Sequence, residues 1–199
     1  AELLCRINDP IEGEISIGSD VISKVNLNDL RSAIGYVPQE SFLFSDTIYN
    51  NIAFGTKNAS KQDVITASKS AGIYTNIMQF KDQFNTLVGE RGITLSGGQK
   101  QRISIARALI RNPKLMLFDD CLSAVDTETE ELILQNIKAE SANKTTIIIS
   151  HRASSLKHAD KIIVLDAGAI LEQGTPKELL DSAGEYATIY KKQLAESQP

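Results

Sequence analysis

Three short apolar runs, each followed by a polar residue, restrict the folds that this chain can adopt. They occupy residues 114–118, 145–149 and 162–165, and they are followed by Asp119, Ser150 and Asp166. Continuous aliphatic sequence without alternation is typical of strands that are covered on both faces. Because helical stretches at residues 127–140 and 152–158 separate the runs, the sequence predicts an α/β fold with a mostly parallel sheet and right-handed crossovers.

The ends of these strands are the expected position of a ligand site. In open α/β sheets, ligands bind beyond the carboxyl ends of the strands. We therefore expect Asp119, Asp120 and His151, which follow predicted strands, to lie at that edge. Further elements are predicted as strands at residues 13–19, 34–37 and 169–173, a helical turn at residues 28–32, and a helix that begins at Thr175-Pro176.

The middle of the chain has helical rather than strand periodicity. Predicted helices lie at residues 47–54, 61–71 and 74–80, and a fourth follows residue 96. We interpret this section as a helical subdomain inserted into the α/β core. The predicted division is an N-terminal part of the core at residues 1–40, the helical subdomain at residues 41–111, and the C-terminal part of the core at residues 112–199.

Leu-Ser-Gly-Gly-Gln at residues 95–99 runs directly into a helical pattern that Pro113 ends. The Ser96 hydroxyl can donate a hydrogen bond, and Gly97 and Gly98 let backbone N–H groups approach an anion without obstruction. The positive end of the helix dipole points at the same place. The pattern predicts either a phosphate-binding helix start or a plain loop in which Ser96 caps the helix.

Composition argues against several other classes of protein. Hydrophobic residues make up 42% of the chain and charged residues 23%, as in soluble globular proteins. The net charge of −4 argues against nucleic acid as the main partner, because phosphate backbones favour basic surfaces. Cys5 and Cys121 lack the spacing of a metal site. The longest apolar runs are too short to cross a bilayer, and no signal peptide pattern is visible.

Five features in a fixed order carry a family resemblance. They are Gln39 after a strand, Leu-Ser-Gly-Gly-Gln-Lys-Gln-Arg at residues 95–102, Asp119-Asp120 after a strand, Ser-Ala-Val-Asp at residues 123–126, and His151 after a strand. Together they resemble the nucleotide-binding domain of an ABC transporter, over essentially the whole chain. The resemblance implies a P-loop NTPase (RecA-like) core, incomplete here, with the family's helical subdomain inserted.

The resemblance assigns roles around a bound ATP and its Mg²⁺. Asp119 matches the Walker B aspartate that holds Mg²⁺ through its water shell. Gln39 matches the Q-loop glutamine that senses Mg²⁺ and the attacking water. Asp120 occupies the position of the catalytic carboxylate, and His151 matches the switch histidine that contacts the γ-phosphate.

Other matched residues imply a partner subunit. Ser96, Gly97, Gly98 and Gln99 match the signature motif, which binds the ATP held by a second nucleotide-binding domain. Asp126 matches the D-loop that crosses the interface of that homo- or heterodimer.

Two segments imply a membrane partner. Residues 88–92 resemble a segment peculiar to the exporter branch, and residues 42–54 correspond to the region that contacts the coupling helices of a transmembrane domain. We expect that domain to belong to the same polypeptide and this chain to lie at the cytoplasmic face of the cell membrane.

The phosphate-binding Walker A loop is absent from the sequence. No G-x-x-x-x-G-K-[ST] string occurs, and none of the 12 glycines precedes a lysine. The family pattern places residue 1 just after this motif, so residues 1–7 are expected to be the remainder of the helix it opens. We expect the chain as given to bind ATP weakly and to be inactive alone.

The second departure is Asp120, where the family has glutamate. Aspartate is one methylene shorter, and retracting its oxygens by roughly 1 Å can lower the rate about 100-fold. The resemblance therefore implies the ATPase domain of a membrane exporter. Its alternatives are the weakly hydrolysing regulatory half of a heterodimeric exporter, an ordinary site that works through a repositioned water, and a soluble ABC ATPase, which the lack of heptads between Gln39 and Leu95 disfavours.

Overall fold

The computed structural model describes residues 1–89, 92–140 and 144–196, and it contains two compact units, residues 1–149 and residues 150 onwards. In these ranges, none of the helices combines the length and the apolar character that a bilayer span requires. Glu90 and Arg91, in the predicted exporter segment, lie outside the described residues.

The first unit contains both strands and helices, and a run of helices separates β3 from β4. Its strands are β1 (Ser16–Ile17), β2 (Asp20–Val21), β3 (Ile34–Val37), β4 (Leu115–Asp119) and β5 (Thr145–Ile149). Its helices are α1 (Leu27–Ala33), α2 (Ile48–Ala53), α3 (Lys61–Ser70), α4 (Tyr74–Gln79), α5 (Gly97–Leu109) and α6 (Thr127–Glu140). Single turns of 3₁₀ helix lie at Ile22–Lys24 and Gln83–Asn85.

A parallel sheet of order β3-β4-β5 organises this unit, as the α/β prediction required. The central strand β4 is buried on both faces. Met116 and Phe118 face a core cluster shared with helices α2 to α6, and Leu115 and Leu117 face a second cluster with Cys5. Dual burial explains why the strand sequence is continuously apolar. The register pairs Val37 with Phe118 and Asp119 with Ile149, so the three strands end together.

The predicted helices of the middle section are confirmed. Helices α2 and α3 pack on α5, and each of the three begins at a hydroxyl cap, from Thr47, Ser60 and Ser96 respectively. These caps satisfy N–H groups of the first helical turn. The boundaries of the three-part domain division stay a prediction.

The second unit has its own small core. It contains β6 (Ile162–Asp166), β7 (Ala169–Gly174), α7 (Pro176–Asp181), α8 (Glu185–Glu196) and a 3₁₀ turn at Ala153–Leu156. The buried side chains are Ala153, Ile162, Leu179 and Tyr186. Thr175 caps α7 with Pro176 in its first turn, as predicted.

The interpretation of residues 162–165 as a buried parallel strand was wrong. Strand β6 pairs antiparallel with β7, and Leu165 is 66% exposed. Ala167 and Gly168 join the two strands with φ angles of 46° and 81°. A two-residue connection with both φ angles positive closes a hairpin, whereas a parallel pair needs a long crossover.

Four smaller expectations also differ from the structure. Residues 13–19 contribute only the two-residue strand β1, which pairs with β2. Residues 1–7 form hydrogen-bonded turns rather than regular helix, and the segment bends at Arg6, whose φ is 48°. Residues 152–158 contain a 3₁₀ turn instead of an α-helix. Strand β5 is only half-buried, since it pairs with β4 along one edge.

Candidate functional site

Three predicted site residues meet at the carboxyl ends of the parallel strands. Asp119 is the last residue of β4 and Asp120 follows it, while Gln39 lies two residues beyond β3. The Gln39 amide nitrogen Nε2 donates a hydrogen bond to Asp120 Oδ2 at 3.2 Å. Both aspartates are half-buried and Gln39 is exposed. The structure thus brings an amide and two carboxylates to one solvent-accessible edge.

A fourth residue, Tyr36, joins this group although the sequence did not mark it. Its hydroxyl donates a hydrogen bond to Asp119 Oδ2 at 3.2 Å. Burial, together with the neighbouring Asp119 carboxylate, raises the pKa of Tyr36 to about 12. The phenol therefore stays protonated at neutral pH, and it remains a donor to the carboxylate.

The backbone around Asp120 is tightly constrained. Asp120 has a φ of 44°, and its N–H donates to the carbonyl oxygen of Ile149 at 2.8 Å. The Ser123 hydroxyl donates to the Asp120 carbonyl oxygen at 3.0 Å. Burial raises the pKa of the adjacent Cys121 to about 12, so this thiol stays neutral and is no nucleophile. The turn thus presents the half-buried Asp120 carboxylate beside a thiol that stays neutral.

The signature segment forms a capped helix start. The Ser96 hydroxyl oxygen accepts a hydrogen bond from the Gln99 N–H at 3.2 Å, and Gln99 Oε1 accepts one from the Ser96 N–H at 3.0 Å. Ser96 and Gly97 are exposed, whereas Leu95 is buried. A hydroxyl can accept and donate at once, so this cap is compatible with an anion contact by Ser96.

The start of α5 packs against the segment that carries Asp126. A Cβ atom added at Gly98 would lie 2.7 Å from the Ala124 carbonyl oxygen, closer than van der Waals contact. The Ala124 N–H donates to Oε1 of Gln101 at 3.2 Å, and Gln101 is buried. Close backbone packing therefore requires glycine at position 98. The sequence had suggested only anion access for this residue.

We predict that Gly98→Ala destabilises the protein, because the Ala124 carbonyl is backbone and cannot move away cheaply. Overpacking of this kind costs about 1–3 kcal/mol. Gly97→Ala is the matched control: its Cβ would meet the Ala124 methyl at 3.6 Å, an ordinary contact. Calorimetric unfolding should show a lower midpoint for Gly98→Ala alone. Equal midpoints for the two variants would contradict the packing argument.

Asp126 caps helix α6. Its Oδ1 accepts a hydrogen bond from the Thr129 N–H at 2.9 Å, and this bond is the main cause of a lowered Asp126 pKa. The charge of Arg102 contributes to the same shift. Arg102 in turn donates to the carbonyl oxygens of Gly98 and Gly72, at 3.2 and 2.8 Å. Arg102 therefore interacts both with the start of helix α5 and with Asp126.

His151 belongs to the second unit, where α8 holds its backbone. Gln193 Nε2 donates to the His151 carbonyl oxygen at 2.8 Å, and Gln193 Oε1 accepts from the Ala153 N–H at 2.8 Å. The imidazole is exposed. Gln193 is a second residue that the sequence did not mark.

The oxygen donors at the strand ends fit Mg²⁺ that arrives with a nucleotide. Among the described residues, no group of three or more His, Cys, Asp and Glu side chains is arranged to hold a metal ion. Mg²⁺ characteristically uses one or two carboxylates together with water and substrate phosphates. Asp119, with Gln39 and Asp120 beside it, matches that pattern rather than an all-protein metal cage.

An exposed aromatic patch lies on the helical section. It consists of Phe42, Phe44 and Phe54, which are 66%, 37% and 53% exposed. The rings of Phe44 and Phe54 lie 4.4 Å apart, and the Arg107 guanidinium lies 5.4 Å from the Phe44 ring centre. Arg107 also donates to the carbonyl oxygens of Phe42 and Asn51 at 2.9 and 2.8 Å.

A cavity of about 310 Å³ adjoins this patch at Phe42, and its lining also includes Ser41, Val88 and Lys100. Apolar surface held in a fixed arrangement is typical of an interaction site.

Comparison with known proteins places this geometry in context. At 50% identity over 189 residues, the chain is similar to the uncharacterized ABC transporter ATP-binding protein YknU of Bacillus subtilis, covering 95% of this chain and 32% of that protein. At 47% over 197 residues it is similar to an ATM1-type heavy metal exporter of Novosphingobium aromaticivorans, covering 99% of this chain and 32% of that protein. The chain thus spans about a third of these relatives.

The fold agrees with a solved structure described as a bacterial Atm1-family ABC exporter with ATP bound. The TM-score is 0.92 at 46% sequence identity, over 97% of this chain and 34% of that chain. The family model for the ABC transporter matches residues 1–123, which is more than half of the chain. This protein chain therefore belongs to the ABC transporter family.

Proposed function

We propose that this chain is the ATP-binding and ATP-hydrolysing domain of an ABC-type membrane exporter. The observation that carries the proposal is the Gln39–Asp120 hydrogen bond beside Asp119, at the ends of adjacent parallel strands. This hydrogen bond brings together two groups of the proposed ATP site, Gln39 and Asp120, that are 81 residues apart in the sequence. The similarity to the ATM1-type heavy metal exporter supports the exporter assignment.

The proposed roles at this edge follow from the chemistry of each group. Asp119 would hold Mg²⁺, and Asp120 would orient the attacking water and accept its proton as general base. Gln39, which contacts Asp120, is proposed to sense Mg²⁺ and the attacking water. The proposed role of His151 is to donate a hydrogen bond from its ring N–H to the γ-phosphate. When bound, Mg²⁺ neutralises charge that develops on the phosphates.

The signature segment acts on another subunit's nucleotide in this proposal. Ser96, Gly97, Gly98 and Gln99 supply the helix start, whose N–H groups and dipole favour a phosphate group. Asp126 is linked to this helix start through Ala124 and Arg102, and its proposed role is to face the second nucleotide-binding domain at the dimer interface. The partner is a second nucleotide-binding domain.

The aromatic patch is the proposed docking surface for a transmembrane domain. Arg107 and the buried Asn51 support the aromatic patch from the protein interior, and the Arg107 Nη2 group donates a hydrogen bond to Asn51 Oδ1 at 2.8 Å. A fixed apolar surface can transmit a displacement of the domain to the element packed on it. In this arrangement the chain works at the cytoplasmic face of the cell membrane, with residues 41–111 as the helical subdomain.

The proposal is tested with the full-length protein in lipid vesicles. We expect it to hydrolyse ATP with Mg²⁺ and to stop when EDTA removes the metal. Hydrolysis that persists without a divalent cation would contradict the proposal, and so would nucleotide binding that is indifferent to Mg²⁺.

A second candidate is a regulatory domain that binds ATP and hydrolyses it poorly. The observation in its favour is Asp120 at the position of the catalytic carboxylate, with one methylene fewer than glutamate. Both candidates use the same ATP site, and they differ in the turnover that this site supports.

A further inference from the structure

We propose that Tyr36 is a positioning residue for Asp119, holding the carboxylate in the orientation that receives hydrated Mg²⁺. The inference rests on the proposed function and adds a residue to it. Its basis is the 3.2 Å hydrogen bond from the Tyr36 hydroxyl to Asp119 Oδ2, across 83 residues of sequence.

The sheet register makes this contact a product of the fold. Tyr36 on β3 pairs with Leu117 on β4, and Asp119 lies two residues beyond Leu117. Residues two apart on a strand point to the same face. The phenol ring therefore lies along the face that carries Asp119, and its hydroxyl reaches the carboxylate from the side.

The ring itself is fixed by packing. Tyr36 is half-buried and packs on the core cluster that includes Leu30, Ile34 and Leu117. A ring held in this way cannot follow a rotating carboxylate, so the hydrogen bond selects one orientation of the Asp119 side chain. Without such a contact, the terminal torsion angle of an aspartate side chain has a broad, roughly two-fold distribution.

The remaining oxygen of Asp119 stays available. Among the described residues, Tyr36 is the side-chain donor to this carboxylate, and none of these residues donates a hydrogen bond to Oδ1. An oriented carboxylate with one engaged and one open oxygen suits a metal that is bound through water. Partners that orient a metal-binding group in this way commonly change metal affinity 10- to 100-fold when they are removed.

The test is Mg²⁺-dependent nucleotide binding by the full-length protein carrying Tyr36→Phe, with a fluorescent ATP analogue as the probe. Phenylalanine keeps the ring in the cluster and removes only the donor. We expect the Mg²⁺ concentration for half-maximal binding to rise about tenfold, with binding in EDTA unchanged. Binding in EDTA also reports that the variant is folded, because a purely structural defect would weaken it as well.

Tyr49→Phe is the matched control. Tyr49 is also half-buried, and its hydroxyl donates to the carbonyl oxygen of Ala59 at 2.9 Å, away from the aspartates. This variant should keep the wild-type Mg²⁺ midpoint. An unchanged midpoint in Tyr36→Phe, or a loss of binding equal in Mg²⁺ and in EDTA, overturns the inference. A wild-type protein whose binding does not respond to Mg²⁺ would instead overturn the proposed function.

Discussion

Asp119→Asn in the full-length protein is expected to lower Mg²⁺-dependent ATP hydrolysis at least about 100-fold, since a metal at phosphate supplies several kcal/mol of charge stabilisation. The substitution keeps the size of the side chain and removes its charge. Asp119 ends β4 in full register with Ile149, so the strand itself should be unaffected. Steady-state ATPase measurements over a range of Mg²⁺ concentrations provide the readout.

The effect should be specific to that carboxylate. Asp82→Asn removes an exposed carboxylate on the helical section and is the matched control, with activity expected at the wild-type level. Thermal unfolding of both variants should match the wild type. If Asp119→Asn retained most of its activity at ordinary Mg²⁺ concentrations, the metal would have to be held elsewhere.

In the full-length protein, the weakly hydrolysing candidate predicts that Asp120→Glu raises the rate of ATP hydrolysis about 100-fold, because the longer side chain advances the carboxylate by roughly 1 Å. Asp120 lies on the constrained turn after β4, with its N–H bonded to Ile149. That bond involves only the backbone and does not depend on the length of the side chain. The expected increase is in the rate of hydrolysis and not in the affinity for ATP.

Asp120→Asn is the companion variant, since it keeps the length of aspartate and removes the base. It should lower the residual rate further if Asp120 contributes any base catalysis. An Asp120→Glu rate equal to wild type, together with a large loss in Asp120→Asn, would show that aspartate suffices and would exclude the weakly hydrolysing regulatory domain.

Strand β4 and strand β6 show what local sequence can and cannot predict. Both are aliphatic runs, and the prediction for β4 was correct because core clusters cover both of its faces. Strand β6 leaves Ile163 and Leu165 exposed, so the apolar run did not signify burial there. The turn at Ala167-Gly168 was the better signal, since a two-residue connection specifies a hairpin.

The supporting residues of the site were beyond sequence reasoning. Tyr36 contacts Asp119 across 83 positions, and Gln101 contacts Ala124 across 23. Gln193 reaches the His151 backbone across 42 positions. Each contact depends on how the helices and strands pack together, so it cannot be predicted from the residue type or from the spacing along the sequence. The motif residues could be found because their order along the chain resembles a known family.

Mixed dimers test most directly the proposal that the signature segment, residues 95–99, binds the nucleotide of a partner subunit. Two differently tagged full-length copies, one with Asp119→Asn and one with Ser96→Asp, are co-expressed and purified through both tags. Ser96→Asp keeps a good helix cap and introduces a negative charge where a phosphate would bind. Each variant alone should lack Mg²⁺-dependent nucleotide retention.

In the mixed dimer, a signature that acts in trans places both defects in one composite site and leaves the other intact. The measurement is bound nucleotide per dimer in Mg²⁺ after free nucleotide is removed. We predict recovery to about half of the wild-type value, as two-fold symmetry requires for one intact site of two. No recovery above the single variants would show that each chain completes its own site and would contradict the account.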